Sequence, residues 1–232
     1  MVLSFISANG GEKMNKELFK TIESFMLECV KESAHDKEHV YRVLNYCLFF
    51  ADGENNVDYD ILITAALLHD IGRDGKKKNH AVVGAEMSYN FLNSISFPKD
   101  KIEAVCDAIK YHNNNSYGNQ ETIEAKILYD ADKLDAVGVM GIARSLIGIG
   151  NYNNPMYAII DNKIDLNENA DSDTYIRYYL SHITKNYDRF FTGKAKDLAN
   201  KMKAVDEYYM QEFVKTVNDN QSYSRLLDDI VH

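Results

Sequence analysis

The chain has 232 residues, enough for one large domain with a deep core or two small ones. Its formal net charge of -9 argues against a nucleic-acid polymer as partner, because neutralising a phosphate backbone takes clustered Lys and Arg. A single nucleotide stays open, since a bound cation can supply positive charge locally.

Only 2 Pro and 12 Gly, with no composition break, favour helix over sheet and one domain. We expect a flexible leader over residues 1–14 and a single domain over 15–232. Residues 2–6 are apolar but lack a basic start, and no run approaches the ~20 apolar residues that span a bilayer. We therefore expect no membrane partner. The three cysteines, Cys29, Cys47 and Cys106, sit on apolar helical faces and read as reduced core thiols of a cytoplasmic protein.

In chain order, Leu18, Ile22, Phe25, Met26, Cys29 and Val30 repeat at helical spacing. A second helix spans about 36–51, and the polar residues 52–56 break it. A third, with Asp58 as a candidate cap, is apolar on nearly every side up to Leu68 and should be central. Residues 72–79 read as a basic loop, with Lys76 to Lys78 as a solvated charge run. Helices follow over 80–92 and from the first turn at Pro98 to about Tyr111. Residues 112–118 form a loop by composition. A long helix over about 122–146, with a possible interruption near Gly138, precedes an irregular stretch over 148–166. Two last helices cover about 172–191 and 194–217. The fold class is an all-α compact bundle.

The most apolar stretch, residues 61–68, ends on His69-Asp70. Side chains this polar are rarely buried unless something binds them, and His beside Asp suits a hard or borderline cation. On the second helix, His39, Arg42 and Val43 share a face, which turns His39 towards the core. In the run Asp130-Ala131-Asp132-Lys133-Leu134-Asp135, Asp132 and Asp135 share a face with Leu128, Ala136 and Val139, while Asp130 points away. Two imidazoles and two carboxylates make a mixed N/O set suited to Mn, Fe, Zn, Co or Ni, with Mg possible.

His39, then His69-Asp70, then Asp132 resemble the H…HD…D signature of the HD-domain metal-dependent phosphohydrolase superfamily. Residues 35–43, 65–72 and 130–138 are similar to its small stand-alone bacterial branch. Gly141-Ile142-Ala143-Arg144 and the helix from Leu198-Ala199 to Phe213 extend the likeness over roughly 32–217. The resemblance implies that His39, His69, Asp70 and Asp132 ligate one divalent ion. Such an ion polarises a phosphoryl oxygen and acidifies water for attack on phosphorus. Asp70 would also orient that water. His80 and His112 stand where two-metal members carry additional histidines. In this branch they are expected to contact phosphate or move a proton, and a second metal stays open. Lys133, Arg144 and Arg42 are candidate substrate-binding residues, and His35 and Asp135 candidate supports behind the ligands. Members acting on the alarmone ppGpp carry Glu-Asp shortly after the doublet. Here the stretch is Arg73-Asp74, which argues against alarmone hydrolysis.

Other readings fail. His35 and His39 have zinc-peptidase spacing, but Asp36 replaces the Glu that must follow the first His. The run from Asp130 lacks the Gly and oxygen ligand of an EF-hand loop, with Leu134 at its fifth position. His182 reads as structural. The expected activity is nucleotide hydrolysis, most specifically of nucleoside triphosphates to monophosphate and pyrophosphate. Nucleotide phosphomonoesterase and cyclic-nucleotide phosphodiesterase are the runners-up. A metal-bound, non-catalytic nucleotide sensor is the rival from another class.

Overall fold

A computed structural model describes residues 14–31, 33–73, 79–171 and 173–231; the expected leader, apart from Met14, and the run Lys76 to Lys78 lie outside these residues. Contacts divide the chain into two compact units. The first is the chain up to Asp135 with Phe190–Ala195, and the second is Ala136–Arg189 with the chain from Lys196 onward. Among the described residues, helices dominate and one short two-stranded ribbon is present, as an all-α class requires. No helix is long and apolar enough to cross a membrane among these residues.

The first unit contains α1 (Lys16–Cys29), α2 (Lys37–Ala51), α3 (Tyr59–Leu68), α4 (His80–Ser94), α5 (Lys99–Lys110) and α6 (Ile123–Leu134). Their starts follow from short polar side chains that accept otherwise unpaired N–H groups. Asn15 caps α1, Asp36 takes the His39 N–H of α2, and Asp58 accepts from Asp60 and Ile61. Asp58 also meets Lys101 Nζ at 2.8 Å and donates its own N–H to Glu124 at 2.7 Å, which ties α3 to α5 and α6. Pro98 lies at the N-cap of α5, one position before the expected first turn.

The helix α3 packs against α1, α2, α5 and α6, which explains why its sequence shows no polar stripe. Leu62, Leu67 and Leu68 are fully buried, each contributing about 1.5–3 kcal/mol. That packing carries the next two residues, His69 and Asp70, into the middle of the unit. Gly72 then lets the chain pass against the start of α4. A Cβ there would lie 2.2 Å from the His80 carbonyl oxygen and 2.4 Å from the Gly84 nitrogen.

The long helix expected over 122–146, with its interruption near Gly138, is two helices. The first, α6, closes on Asp135 as its cap, and α7 (Gly138–Asn151) restarts in the second unit. Gly138 has φ 64°, a left-handed conformation that glycine adopts without a Cβ penalty.

In the second unit, the stretch expected to be irregular holds β1 (Ile159–Ile160) and β2 (Lys163–Ile164), which pair antiparallel. Asp161 and Asn162 join them at φ 49° and 60°, the double left-handed turn that a tight hairpin favours. The helix expected over 172–191 is shorter and mixed. It comprises α8 (Tyr175–Tyr178), a π turn (Tyr179–Ile183) and α9 (Thr184–Asn186). Next, α10 (Gly193–Ser222) runs past its expected end, and α11 (Arg225–Val231) follows. Buried Asp206 accepts from the Gly138 N–H at 3.1 Å and from the Tyr187 hydroxyl. It thereby fastens α10 to the start of α7 and the turn after α9.

Gly72→Ala should lower unfolding stability by roughly 1–3 kcal/mol or more through overpacking. Urea unfolding measures this, and an unchanged midpoint would contradict the close approach to α4.

Candidate metal centre

The first unit brings six polar side chains from five segments to one place. His39 comes from the first turn of α2, His69 and Asp70 from the end of α3, and Asp132 from α6. His80 opens α4, and His112 follows α5. His39 Nε2 stands 3.2 Å from His69 Nε2, 3.4 Å from Asp70 Oδ2 and 3.5 Å from Asp132 Oδ1. His69 Nε2 lies 3.7 Å from Asp70 Oδ2. Ligands about 2.1 Å from a tetrahedral ion stand about 3.4 Å from one another. His39 and His69 are 0% exposed, Asp70 2% and Asp132 8%.

Hydrogen bonds on the far sides of the rings fix the tautomers. His69 Nδ1 lies 2.8 Å from the Ala66 carbonyl and His112 Nδ1 2.6 Å from the Ile109 carbonyl. His39 Nδ1 lies 2.8 Å from Asp135 Oδ2. Each partner is an acceptor, so each Nδ1 carries the proton and each Nε2 presents a lone pair. Two such lone pairs 3.2 Å apart, at His39 and His69, repel unless a cation or proton lies between them.

Asp70 supplies a second sign. Neither of its buried oxygens accepts a well-directed hydrogen bond, although Arg73 Nε approaches Oδ1 to 2.8 Å. Burial alone would raise its carboxyl group, yet the Arg73 guanidinium and His69 hold it well below the usual carboxylate range. Burial likewise opposes the Asp132 charge, and Lys133 overrides it, again pushing the group well down. Burial pushes His69 down to about 3, and burial with Arg73 pushes His80 down to about 4. The acids stay charged and these two imidazoles neutral at pH 7, which is the ligating state of each. The residues fit a divalent cation.

Three residues expected to meet substrate or stand behind the ligands have definite partners. Asp135 is buried and receives His39 Nδ1 on Oδ2 while Arg42 grips it with Nε at 2.7 Å and Nη2 at 3.0 Å. That is the carboxylate–histidine support common behind metal ligands, as expected for Asp135. Arg42, expected on substrate, acts here through Asp135. Lys133 Nζ lies 2.7 Å from Asp132 Oδ2 and so holds the carboxylate with Oδ1 towards His39. The His35 ring meets the His39 ring edge-on at 5.4 Å. Arg144 lies on α7 in the second unit, as does His182 in the π turn.

Asp130 does point away from the donors, but into the core. It accepts from the backbone N–H groups of Phe191 and Thr192 and from the Thr192 hydroxyl. Its periodicity showed the direction; the loop waiting there, 61 and 62 positions on, left no local signal. Arg73 touches Asp70 from three residues on, a spacing that the sequence does show.

A family model for the HD domain matches residues 37–137, the stretch from α2 to the end of the Asp130–Asp135 run. These residues belong to the HD-domain family. The chain is also similar to Bacillus subtilis YpgQ, with 25% identity over 207 residues, covering 88% of this chain and 91% of that one. Among solved structures, a Lactobacillus plantarum protein matches at 24% identity with TM-score 0.72, covering 87% of this chain and 97% of its own. Bacillus subtilis YpgQ in complex with ADP matches at 24% and 0.66, covering 85% and 97%. An HD-superfamily hydrolase of Bacillus thuringiensis matches at 24% and 0.65, covering 88% and 98%.

Asp132→Ala or His69→Ala should abolish metal retention in equilibrium dialysis. Asp130→Ala should keep the metal but lose about 1–3 kcal/mol or more of stability, because buried N–H groups lose their acceptor. Equal metal loss in all three would contradict the assignment of faces.

A pH dependence follows from the histidines. Their folded values near 3 and 4 lie below the ordinary 6.5, so the unfolded chain takes up protons first as pH falls. The stability of metal-free protein is therefore full above about pH 6.5 and declines as the pH drops towards 4. Melting temperature should fall between pH 7 and pH 4.5, and a flat or rising profile would contradict the burial of neutral His69 and His80.

Proposed function

We propose that this protein is a divalent-metal-dependent phosphohydrolase of nucleotides. More specifically, it is read as a nucleoside triphosphate pyrophosphohydrolase that releases monophosphate and pyrophosphate. The HD-domain match and the clustered donors His39, His69 and Asp70 support the hydrolase class. The observation that carries the reading is the buried convergence of His39, His69, Asp70 and Asp132, with lone pairs turned on one another and the Asp70 carboxylate lacking a well-directed donor.

A divalent ion held there supplies Lewis-acid polarisation of a phosphoryl oxygen and lowers the pKa of water beside it. The chain's residues do the rest. Asp135 fixes the tautomer of His39, and Lys133 fixes the rotamer of Asp132. Asp70 is close enough to both pairs of histidines to orient the attacking water. His80 Nε2 and His112 Nε2 stand 3.6 Å and 3.5 Å from Asp70 Oδ1 and present themselves to phosphate or water. As His80 is held neutral, it suits accepting a proton better than giving one.

Charge supports a phosphorylated substrate. Three buried acids, Asp70, Asp132 and Asp135, are met by Arg73, Lys133 and Arg42. These three pairs sum to zero, and a bound dication leaves the centre positive. A polyanionic triphosphate matches that excess better than a neutral ester does. The complex of Bacillus subtilis YpgQ with ADP supports a nucleotide. The free thiols of Cys29, Cys47 and Cys106 fit a reducing cytoplasmic setting.

The test is a nucleotide panel with added manganese and separated products. Pyrophosphate with monophosphate is the expected outcome. Inorganic phosphate with nucleoside would move the reading to a phosphomonoesterase, and opening of cyclic nucleotides to a phosphodiesterase. Nucleotide binding without turnover in the metal-loaded protein would reject hydrolysis in favour of a sensor. His80→Ala and His112→Ala should cut turnover more than metal content.

A further inference from the structure

The two oxygens of Asp70 face different neighbours. Oδ2 lies 3.4 Å from His39 Nε2 and 3.7 Å from His69 Nε2. Oδ1 lies 3.6 Å from His80 Nε2 and 3.5 Å from His112 Nε2, and those two nitrogens are 3.3 Å apart. Asp70, His80 and His112 therefore form a second donor trio beside the first. By donor chemistry alone, Asp70 would bridge two cations.

One more group stands at that bridge. Arg73 Nε is 2.8 Å from Oδ1, and its side chain is 25% exposed. A guanidinium keeps its proton throughout the working pH range, so its charge is permanent, and the mostly covered position screens it poorly. The turn that delivers it is held at two points. The Arg73 N–H donates to the Asp70 carbonyl at 3.1 Å, and Gly72 is pressed onto the α4 backbone. A dication taking Oδ1 as a ligand would need the oxygen that the guanidinium already faces and would sit against a positive charge.

We propose that Arg73 takes the place of a second metal ion at Asp70 Oδ1, so that the centre holds one cation and keeps the His80–His112 pair open to substrate or water. This rests on the reading of His39, His69, Asp70 and Asp132 as metal ligands. The guanidinium provides the second positive charge of a two-cation centre in a form that no chelator removes.

The experiment is manganese titration of metal-free protein, with bound ions counted per chain and the bound manganese examined by electron paramagnetic resonance. Wild type should bind one ion per chain and give the spectrum of isolated manganese. Arg73→Ala, and Arg73→Gln as a variant of similar length, should bind two ions per chain and show exchange coupling through the shared carboxylate. Adding His112→Ala to Arg73→Ala should return the count to one. Two coupled ions in wild type would overturn the proposal without any variant, and so would a single ion in both Arg73 variants. No ion in wild type would instead reject the metal reading on which it rests.

Discussion

A charged carboxylate with almost no exposure, Asp70, sets the terms for the whole first unit. Desolvating such an anion costs several kcal/mol even after relaxation, and a buried acceptor without well-directed donors adds to that. On the Oδ2 side it faces the lone pairs of His39 Nε2 and His69 Nε2, which do not relieve it, while Arg73 Nε stands 2.8 Å from Oδ1. A cation on the Oδ2 side relieves it further. The apolar α3 that delivers Asp70, the glycine that brings α4 against it and the burial of His39 and His69 follow from keeping this group in place.

Each buried acid of the centre has its own cation. Arg42 grips Asp135, Lys133 meets Asp132, and Arg73 approaches Asp70. This pairing lets the donor set remain assembled before a metal arrives, and it fixes rotamers as well as charge. Breaking one pair would leave a buried charge uncompensated, which is costlier than the pair is stabilising. Arg42 and Lys133 are thus spent on acids of the centre, and positive charge for a phosphate must come chiefly from the metal. The acidic net charge of the chain and a phosphorylated substrate are then compatible.

Much of this was legible because helices encode faces. The apolar run ending on His69-Asp70, the inward turn of His39 and the choice of Asp132 over Asp130 all follow from a period of 3.6 residues, and the geometry brings those side chains together. What periodicity cannot show is which distant group a polar side chain meets. Asp130 turns away from the donors, as its period requires, and caps a backbone turn 61 and 62 positions later. Arg42 carries a phosphate-binding chemistry that its neighbour Asp135 absorbs. The hairpin at Ile159–Ile164 carries little local signal because Asp161-Asn162 lacks the glycine that usually marks such a turn. The break before Gly138 is legible in the glycine itself, whereas the π turn at Tyr179–Ile183 has no local signal.

The central claim is that one buried cation joins His39, His69, Asp70 and Asp132. Anomalous diffraction from crystals grown with manganese tests it most directly. The account predicts a strong peak about 2.0–2.3 Å from the Nε2 atoms of His39 and His69 and from carboxylate oxygens of Asp70 and Asp132. A metal-saturated crystal with no peak among these four residues, or with its only peak elsewhere, would contradict it.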